Sequence, residues 1–419
     1  MTTPEPGTPS TTRASLGTPG VGAPTGAVPF EQARLGPLTL RNRIIKAATF
    51  EGVMPRGTIT QDLIDFHARV ARGGAALTTV AYCAVSADGR VHRNTLVMDG
   101  KQDAELRRLT DAVHAEGALV AAQLGHAGYV ADQRSNRMPS MGPSTRLSAP
   151  GMGLVKAATP AQLERVLGDF RRAAQVAVDT GFDAIEIHLG HNYLLSSFLS
   201  PNLNRRKDHL GGSIENRSRF PREVVAAVRE VVGSGVAVTA KLNMADGVPQ
   251  GLWLEESLQF ARLLQDDGHL DAMQLTGGSS LLNGMYFFRG EVPLRELAAT
   301  QATVVGWGLR AFGKKMLFPE YPFEEAFFLP FARQFRAALD MPLILLGGIN
   351  ELDTIQLGLD EGFQFVAMAR ALLREPDLIN QYQSKGRTTG LCVHCNKCMP
   401  TIYTGTRCVL ADAPEPALH

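Results

Sequence analysis

The chain has 419 residues, 44% of them hydrophobic and 20% charged, with a formal net charge of +1. That supplies apolar material for a large core. The balanced charge excludes nucleic acid or an anionic membrane surface as the main partner, and no apolar run approaches the roughly 20 residues of a membrane span.

Residues 1–28 are rich in Pro, Thr, Gly, Ser and Ala. Such a segment buries too little surface to offset its ordering entropy, so a disordered tail is expected. It has no apolar stretch of the kind a secretion signal needs, and a cytoplasmic protein is expected.

From Phe30 the pattern changes. PFEQARLGPLTLRNR reads as a short hairpin plugging one end of a barrel. Strand-like and helix-like segments then alternate. The predicted strands are 44–50, 75–82, 118–124, 182–188, 236–243, 270–276, 342–348 and 363–369. The predicted helices lie near 60–72, 103–117, 160–180, 213–233, 254–267, 325–339, 351–361 and 375–384. Most strands are nearly continuous apolar runs, as parallel strands covered on both faces must be.

Eight strand–helix pairs predict an α/β protein, a (β/α)8 TIM barrel over residues 29–385. The rival, an open doubly wound sheet, wants a G-x-G-x-x-G turn after its first strand. The corresponding turn here reads EGVMPRG. Two long loops depart from the minimal barrel, 125–159 after strand three and 277–324 after strand six. The second contains MYFFRG and WGLRAFGKK. Loops of this length at a barrel mouth shape a substrate pocket or a lid.

Chemistry concentrates where the fourth strand ends. In FDAIEIHLGHNY, Ile185 and Ile187 alternate with Glu186 and His188. His188, His191 and Tyr193 then follow within six residues at a strand's C-terminal end, where barrel enzymes keep their catalytic groups. A metal site is disfavoured there because no carboxylate or third His stands at ligand spacing.

A Cys-rich extension, 386–419, carries CVHCNKCMPTIYTGTRC. Cys392, Cys395, Cys398 and Cys408 stand as C-x2-C-x2-C-x9-C, while Cys83 is alone. Without a secretion signal, such a cluster suggests a metal or redox cofactor rather than disulfides. The spacing suits one [4Fe–4S] cluster, a zinc site, or reduced thiols beside a pocket, and all three stay open.

H-x-x-H-x-Y-L-x-x-x-F-L-S-P from His188, followed by N-x-R-x-D and GGSIENRSRF, resembles the old yellow enzyme family of FMN-dependent ene-reductases. The branch it looks like contains 2,4-dienoyl-CoA reductase and trimethylamine dehydrogenase. LRNRIIKAA at the first strand, AAQLGHAG at the third, LLGGI at the seventh and AMARALLREPDL at the eighth extend the match over residues 29–410. The resemblance implies a TIM barrel with FMN at its mouth and NAD(P)H as reductant. It implies hydride transfer from flavin N5 to an activated C=C bond of an electron-poor alkene.

On this basis His188 and His191 polarise the substrate carbonyl and Tyr193 protonates the α carbon. Ala47, Ala48, Gln123, Lys241, Gly347, Gly348, Ala369 and Arg370 hold the cofactor. Gln123 meets the flavin pyrimidine edge, Lys241 the negative charge of the reduced ring, and the residues after strands seven and eight the phosphate. The four clustered cysteines match the relatives' [4Fe–4S] ligands. Arg205, Asp208, Glu215, Asn216 and Arg217 are expected to be scaffold, with Ser213 as a helix cap. Three positions depart from the family. After LRNRIIKAA the register gives Thr49 then Phe50, so the flavin-tuning residue is absent or displaced, the usual Gly before the Tyr is Asn192, and the Arg after H-A-G is Tyr129. A flavin dehydrogenase or demethylase, or an FMN/iron–sulfur electron-transfer module, stays open as an alternative. So do a homo-oligomer and a redox partner protein.

Overall fold

The eight apolar runs form eight parallel strands that close on themselves. The computed structural model describes residues 26–148, 153–300, 318–384, 386–402 and 404–411. A short antiparallel hairpin, β1 (Ala33–Leu35) and β2 (Leu38–Leu40), comes first. The barrel strands are β3 (Ile44–Lys46), β4 (Leu77–Ala84), β5 (Leu119–Gly125), β9 (Ala184–Leu189), β10 (Ala237–Asn243), β11 (Ala272–Thr276), β12 (Leu343–Leu346) and β13 (Phe365–Met368). β6 (Met141–Gly142), β7 (Arg146–Ser148) and β8 (Gly153–Ala157) lie outside it.

Strand alternation divides the core in two. Inward-facing Ile45, Leu77, Ala121, Ala184, Ala237, Ala272, Ile344 and Phe365, one from each barrel strand, pack together with Leu35 and Leu40 of the hairpin. The hairpin is therefore the expected plug. Their neighbours, among them Ile185, Ile187, Val238, Ala240 and Met273, face outward onto the helices. Each such burial of a large aliphatic side chain contributes about 1.5–3 kcal/mol. Half of that interior layer is alanine, which leaves room for the hairpin's leucines to enter.

The helices begin where their caps predict. Thr60 accepts from the Leu63 amide ahead of Gln61–Arg72. Thr159 and Gln162 form a reciprocal capping box ahead of Pro160–Asp179. Ser213 accepts from the Asn216 amide at the start of Ile214–Val232, as anticipated.

Two expectations need correction. The loop 125–159 contains a three-stranded sheet, β6–β8–β7, whose strands are too short to stand out by periodicity. A short helix that was not expected, Arg370–Arg374, precedes the last predicted one, which runs Leu378–Ser384; Pro376 separates the two because it cannot continue a helix. The expected tail, 1–28, falls almost wholly outside the described residues, as do the WGLRAFGKK run and the end of the extension. Among the described residues, no helix is long and apolar enough to cross a membrane.

The extension does not stand apart. It returns across the barrel mouth, where the Gly390 amide donates to the Asn350 carbonyl at 2.8 Å and the Thr406 amide to the Glu51 carbonyl at 2.7 Å.

Candidate active site

A cavity of about 300 Å³ opens at the C-terminal ends of the barrel strands. Ala47, Ala48, Gln123, His188, His191, Tyr193, Lys241, Gly347, Gly348, Ala369 and Arg370 all line it. Residues separated by more than 300 positions in sequence meet there because alternation and register put them there. On β9, Ala184, Glu186 and His188 face inward in succession. Gln123 pairs across to Glu186, and Lys241 lies between His188 and Gln274 in the strand register.

The wall beside His188 is aromatic. After β9 the chain turns through two consecutive left-handed residues, His191 (φ 59°) and Asn192 (φ 60°). Asn adopts this region at less cost than most residues, which suits it to this turn. The turn brings the His188 and His191 rings to a 5.1 Å centroid separation. Tyr193 stands edge-on to His188 at 4.4 Å and to Tyr82 at 5.3 Å.

His191 Nε2 lies 3.1 Å from Thr276 Oγ1, whereas buried His188 Nδ1 has no hydrogen-bond partner among the described residues. Burial, reinforced by the Lys241 charge, pushes the His191 imidazole down to about 3. Burial, then His191 and Lys241, hold His188 well below the ordinary range. Both rings are therefore held neutral at physiological pH.

The floor is polar and tightly bonded. Lys241 Nζ pairs with Glu186 Oε1 at 3.0 Å. Gln123 Nε2 donates to Glu186 Oε1 at 2.6 Å, and Gln274 Nε2 to Glu186 Oε2 at 2.7 Å. Sequence reasoning placed Glu186 on the same face as His188 but assigned it no role. The available signal was a carboxylate facing inward on a strand expected to be buried on both sides.

On the opposite side the cavity is shaped by absence of side chain. Gly347 (φ 114°) and Gly348 (φ 75°) follow β12, and a Cβ on either would lie 2.5 Å from a ring atom of Phe328 or Phe327. Only glycine fits at that backbone and that spacing. Arg370 has less freedom than the sequence suggested. Its Nη1 donates to the Arg289 carbonyl at 3.2 Å and also bonds Asn396 Oδ1, tying the strand-six loop to the extension.

Further cavity residues come from segments that periodicity could not assign. Phe287 and Phe288 of MYFFRG, Phe327 and Phe328, and His394, Cys398, Met399, Ile402 and Thr406 of the extension complete the lining. Thr49 is present on the wall, and it accepts from buried Lys46 Nζ at 2.8 Å.

The arrangement fits a flavin. A Gln and a Lys on one side and a glycine cradle on the other are separated by small and aromatic walls, and His188 Nδ1 is left over for a bound group.

The four clustered cysteines line a second, small cavity beneath Arg370, and Cys398 lines both. Burial raises the thiols of Cys392 and Cys408, and pushes Cys398 up to about 11, with Arg370 opposing the shift at Cys392 and Cys398. Among the described residues, no three His, Cys, Asp or Glu side chains are disposed to hold a single metal ion.

The expected scaffold lies away from the cavity. Arg217, 1% exposed, bonds the Leu199 carbonyl and pairs with Glu256.

A family model described as NADH:flavin oxidoreductase / NADH oxidase matches residues 30–275. A 4,4'-dithiodibutanoate disulfide reductase of Rhodococcus erythropolis is 71% identical over 391 residues, 93% of this chain and 96% of that one. A metal reductase of Desulforamulus reducens is 32% identical over 89% of this chain, which spans only 52% of that protein. The old yellow enzyme homologue of Zymomonas mobilis superposes with a TM-score of 0.69 at 23% identity, covering 93% of this chain and all of that one.

Proposed function

The chain belongs to the NADH:flavin oxidoreductase / NADH oxidase family, and from that membership we propose that it uses NAD(P)H to reduce a small organic disulfide with anionic ends. FMN and a nicotinamide donor follow from the family. The observation that carries the disulfide reading is the 71% identity to the R. erythropolis enzyme across nearly the whole of both chains.

When bound, a flavin would supply the two-electron chemistry that links reduced nicotinamide to the acceptor. Gln123 and Lys241 would hold its ring edge, with Ala47 and Ala48 beside them. Gly347, Gly348, Ala369 and Arg370 would hold its phosphate. Phe287, Phe288, Phe327 and Phe328 exclude water from the acceptor. Neutral His188 and His191 orient it through N–H donation, without adding charge. Tyr193 Oη delivers the second proton to the departing thiolate sulfur. Overall, one NAD(P)H and one proton convert a disulfide to two thiols.

An anionic end of the acceptor would be met by Arg289, next in the chain to Phe288 of the cavity lining but not itself in that lining. Its guanidinium packs over the rings of Phe327 (4.9 Å), Tyr286 (5.6 Å) and Tyr321 (5.7 Å). Among the described residues it has no carboxylate within ion-pair distance.

A second reading, reduction of an activated C=C bond, is favoured by His188, His191 and Tyr193 sharing one wall. There the histidines would polarise a carbonyl and Tyr193 would protonate the α carbon. The four cysteines line one cavity, and four thiolates at C-x2-C-x2-C-x9-C spacing are the donor set of a [4Fe–4S] cluster. Cys392, Cys395, Cys398 and Cys408 would hold it. All five cysteines are free, and a cytoplasmic location is part of the proposal.

The test is anaerobic. Enzyme loaded with FMN is bleached by NADH or NADPH, then mixed with 4,4'-dithiodibutanoate or with cyclohexenone. Reoxidation by the disulfide with release of two thiols per nicotinamide is expected. Reoxidation by the enone alone would replace the first reading with the second.

A further inference from the structure

Glu186 lies beneath the cavity and takes no part in lining it. It is 2% exposed, and its carboxylate gathers side chains from three other strands. Gln123 reaches it from β5, Lys241 from β10 and Gln274 from β11, at 2.6, 3.0 and 2.7 Å. Two of these three, Gln123 and Lys241, line the cavity.

Two consequences follow from chemistry alone. An ionised carboxylate only accepts, so the Gln123 amide must turn its NH2 toward Glu186. Its carbonyl oxygen is then the atom offered to the cavity, and the amide cannot flip without stranding a buried bond. Lys241, only 3% exposed, is meanwhile opposed by a negative charge at 3.0 Å. In a buried site with little solvent screening, a paired lysine presents much less positive potential than a lone one.

We infer that Glu186 is a positioning residue: it fixes the Gln123 amide, and by offsetting the Lys241 charge it keeps bound flavin strongly reducing. The inference rests on the flavin reading. A lone cation beside the ring favours the negative charge gained on reduction and so raises the potential. A neutralised cation favours it less, and the reduced cofactor becomes the stronger donor. That is the direction a disulfide acceptor requires, because small disulfides are poor oxidants.

Anaerobic redox titration of the FMN-loaded protein tests this. Glu186→Gln removes the charge while keeping the shape. It is expected to move the flavin midpoint potential to more positive values and to slow reoxidation by disulfide relative to reduction by NAD(P)H. The shift should vanish when Lys241→Met is combined with it. Should Glu186→Gln fail to fold or to take up FMN, Glu186→Asp decides, since it draws the carboxylate back from Lys241 and should shift the midpoint less, in the same direction. A midpoint that is unchanged or more negative in the deciding flavin-loaded variant overturns the proposal, as does a Glu186→Gln shift that survives Lys241→Met. A wild-type protein that takes up no FMN overturns the flavin reading together with it.

Discussion

Tyr193 meets His188 edge-on, ring centroids 4.4 Å apart at an interplanar angle of 84°. The contact fixes the tyrosine ring on the cavity wall, where its phenol is the proton source proposed above. His188 and His191, held neutral by burial, have no net proton to give. Tyr193→Phe should therefore slow the acceptor-reducing half-reaction by roughly 10²–10⁴-fold, the usual worth of a positioned general acid. Bleaching by NAD(P)H should be nearly unchanged. Stopped-flow measurement of the two half-reactions separates them, and equal slowing of both would remove Tyr193 from the proton-transfer role.

The histidines make the protein acid-sensitive in a definite direction. In the unfolded chain an imidazole titrates near 6.5, whereas the folded chain holds His191 down at about 3 and His188 also well below its ordinary value. Between those limits the unfolded state binds protons that the folded state refuses. Their contribution is thus present above about pH 6.5 and is lost as pH falls toward 3. Urea unfolding at pH 7 and pH 5 should show lower stability at pH 5, and the difference should shrink in His191→Gln.

Arg289 should discriminate by substrate charge. A hydrogen bond to a charged group is worth about 1.5–3 kcal/mol, and 1.4 kcal/mol is about tenfold in affinity. Arg289→Gln should raise KM for 4,4'-dithiodibutanoate by roughly 10- to 100-fold while leaving a neutral disulfide of similar length almost unaffected. Steady-state kinetics with both substrates checks this.

Glu256 should matter to stability and not to chemistry. It is 39% exposed at its side chain, but its partner Arg217 is 1% exposed. Glu256→Ala leaves that guanidinium buried and unpaired, which is expected to cost about 3 kcal/mol. Denaturant midpoints should fall while FMN content and turnover stay at wild-type values.

Cys398 tests the cluster. Protein purified anaerobically should carry iron and acid-labile sulfide together with FMN. Cys398→Ser should lose the iron and sulfide and keep the flavin. Zinc without sulfide in the wild-type protein would assign the four thiolates to a different metal.

Much of this was legible in the chain itself, because the signals are local. A barrel strand covered on both faces is an apolar run, a helix start is a Thr or Ser before its first turn, and a tight cradle after β12 is Gly347–Gly348. The strand ends are also where cavity-lining side chains fall, so His188 could be picked out from its own strand, while Gln123 and Lys241 needed the family resemblance as well. Arg370 illustrates the limit. Its position after the last strand was evident, but its bonds to Asn396 and the Arg289 carbonyl depend on how two loops meet.

By itself, then, the sequence determined the barrel, the order of its strands and which side chains point inward, since alternation and apolar periodicity act over a few residues. Only the tertiary structure decided what those side chains do to one another. Glu186 is bound to residues 55, 63 and 88 positions away, the extension contributes to a cavity begun at Ala47, and the histidines are neutral because the closed barrel removes water from them. Electrostatic pairing and desolvation depend on distance in space, which no stretch of chain records.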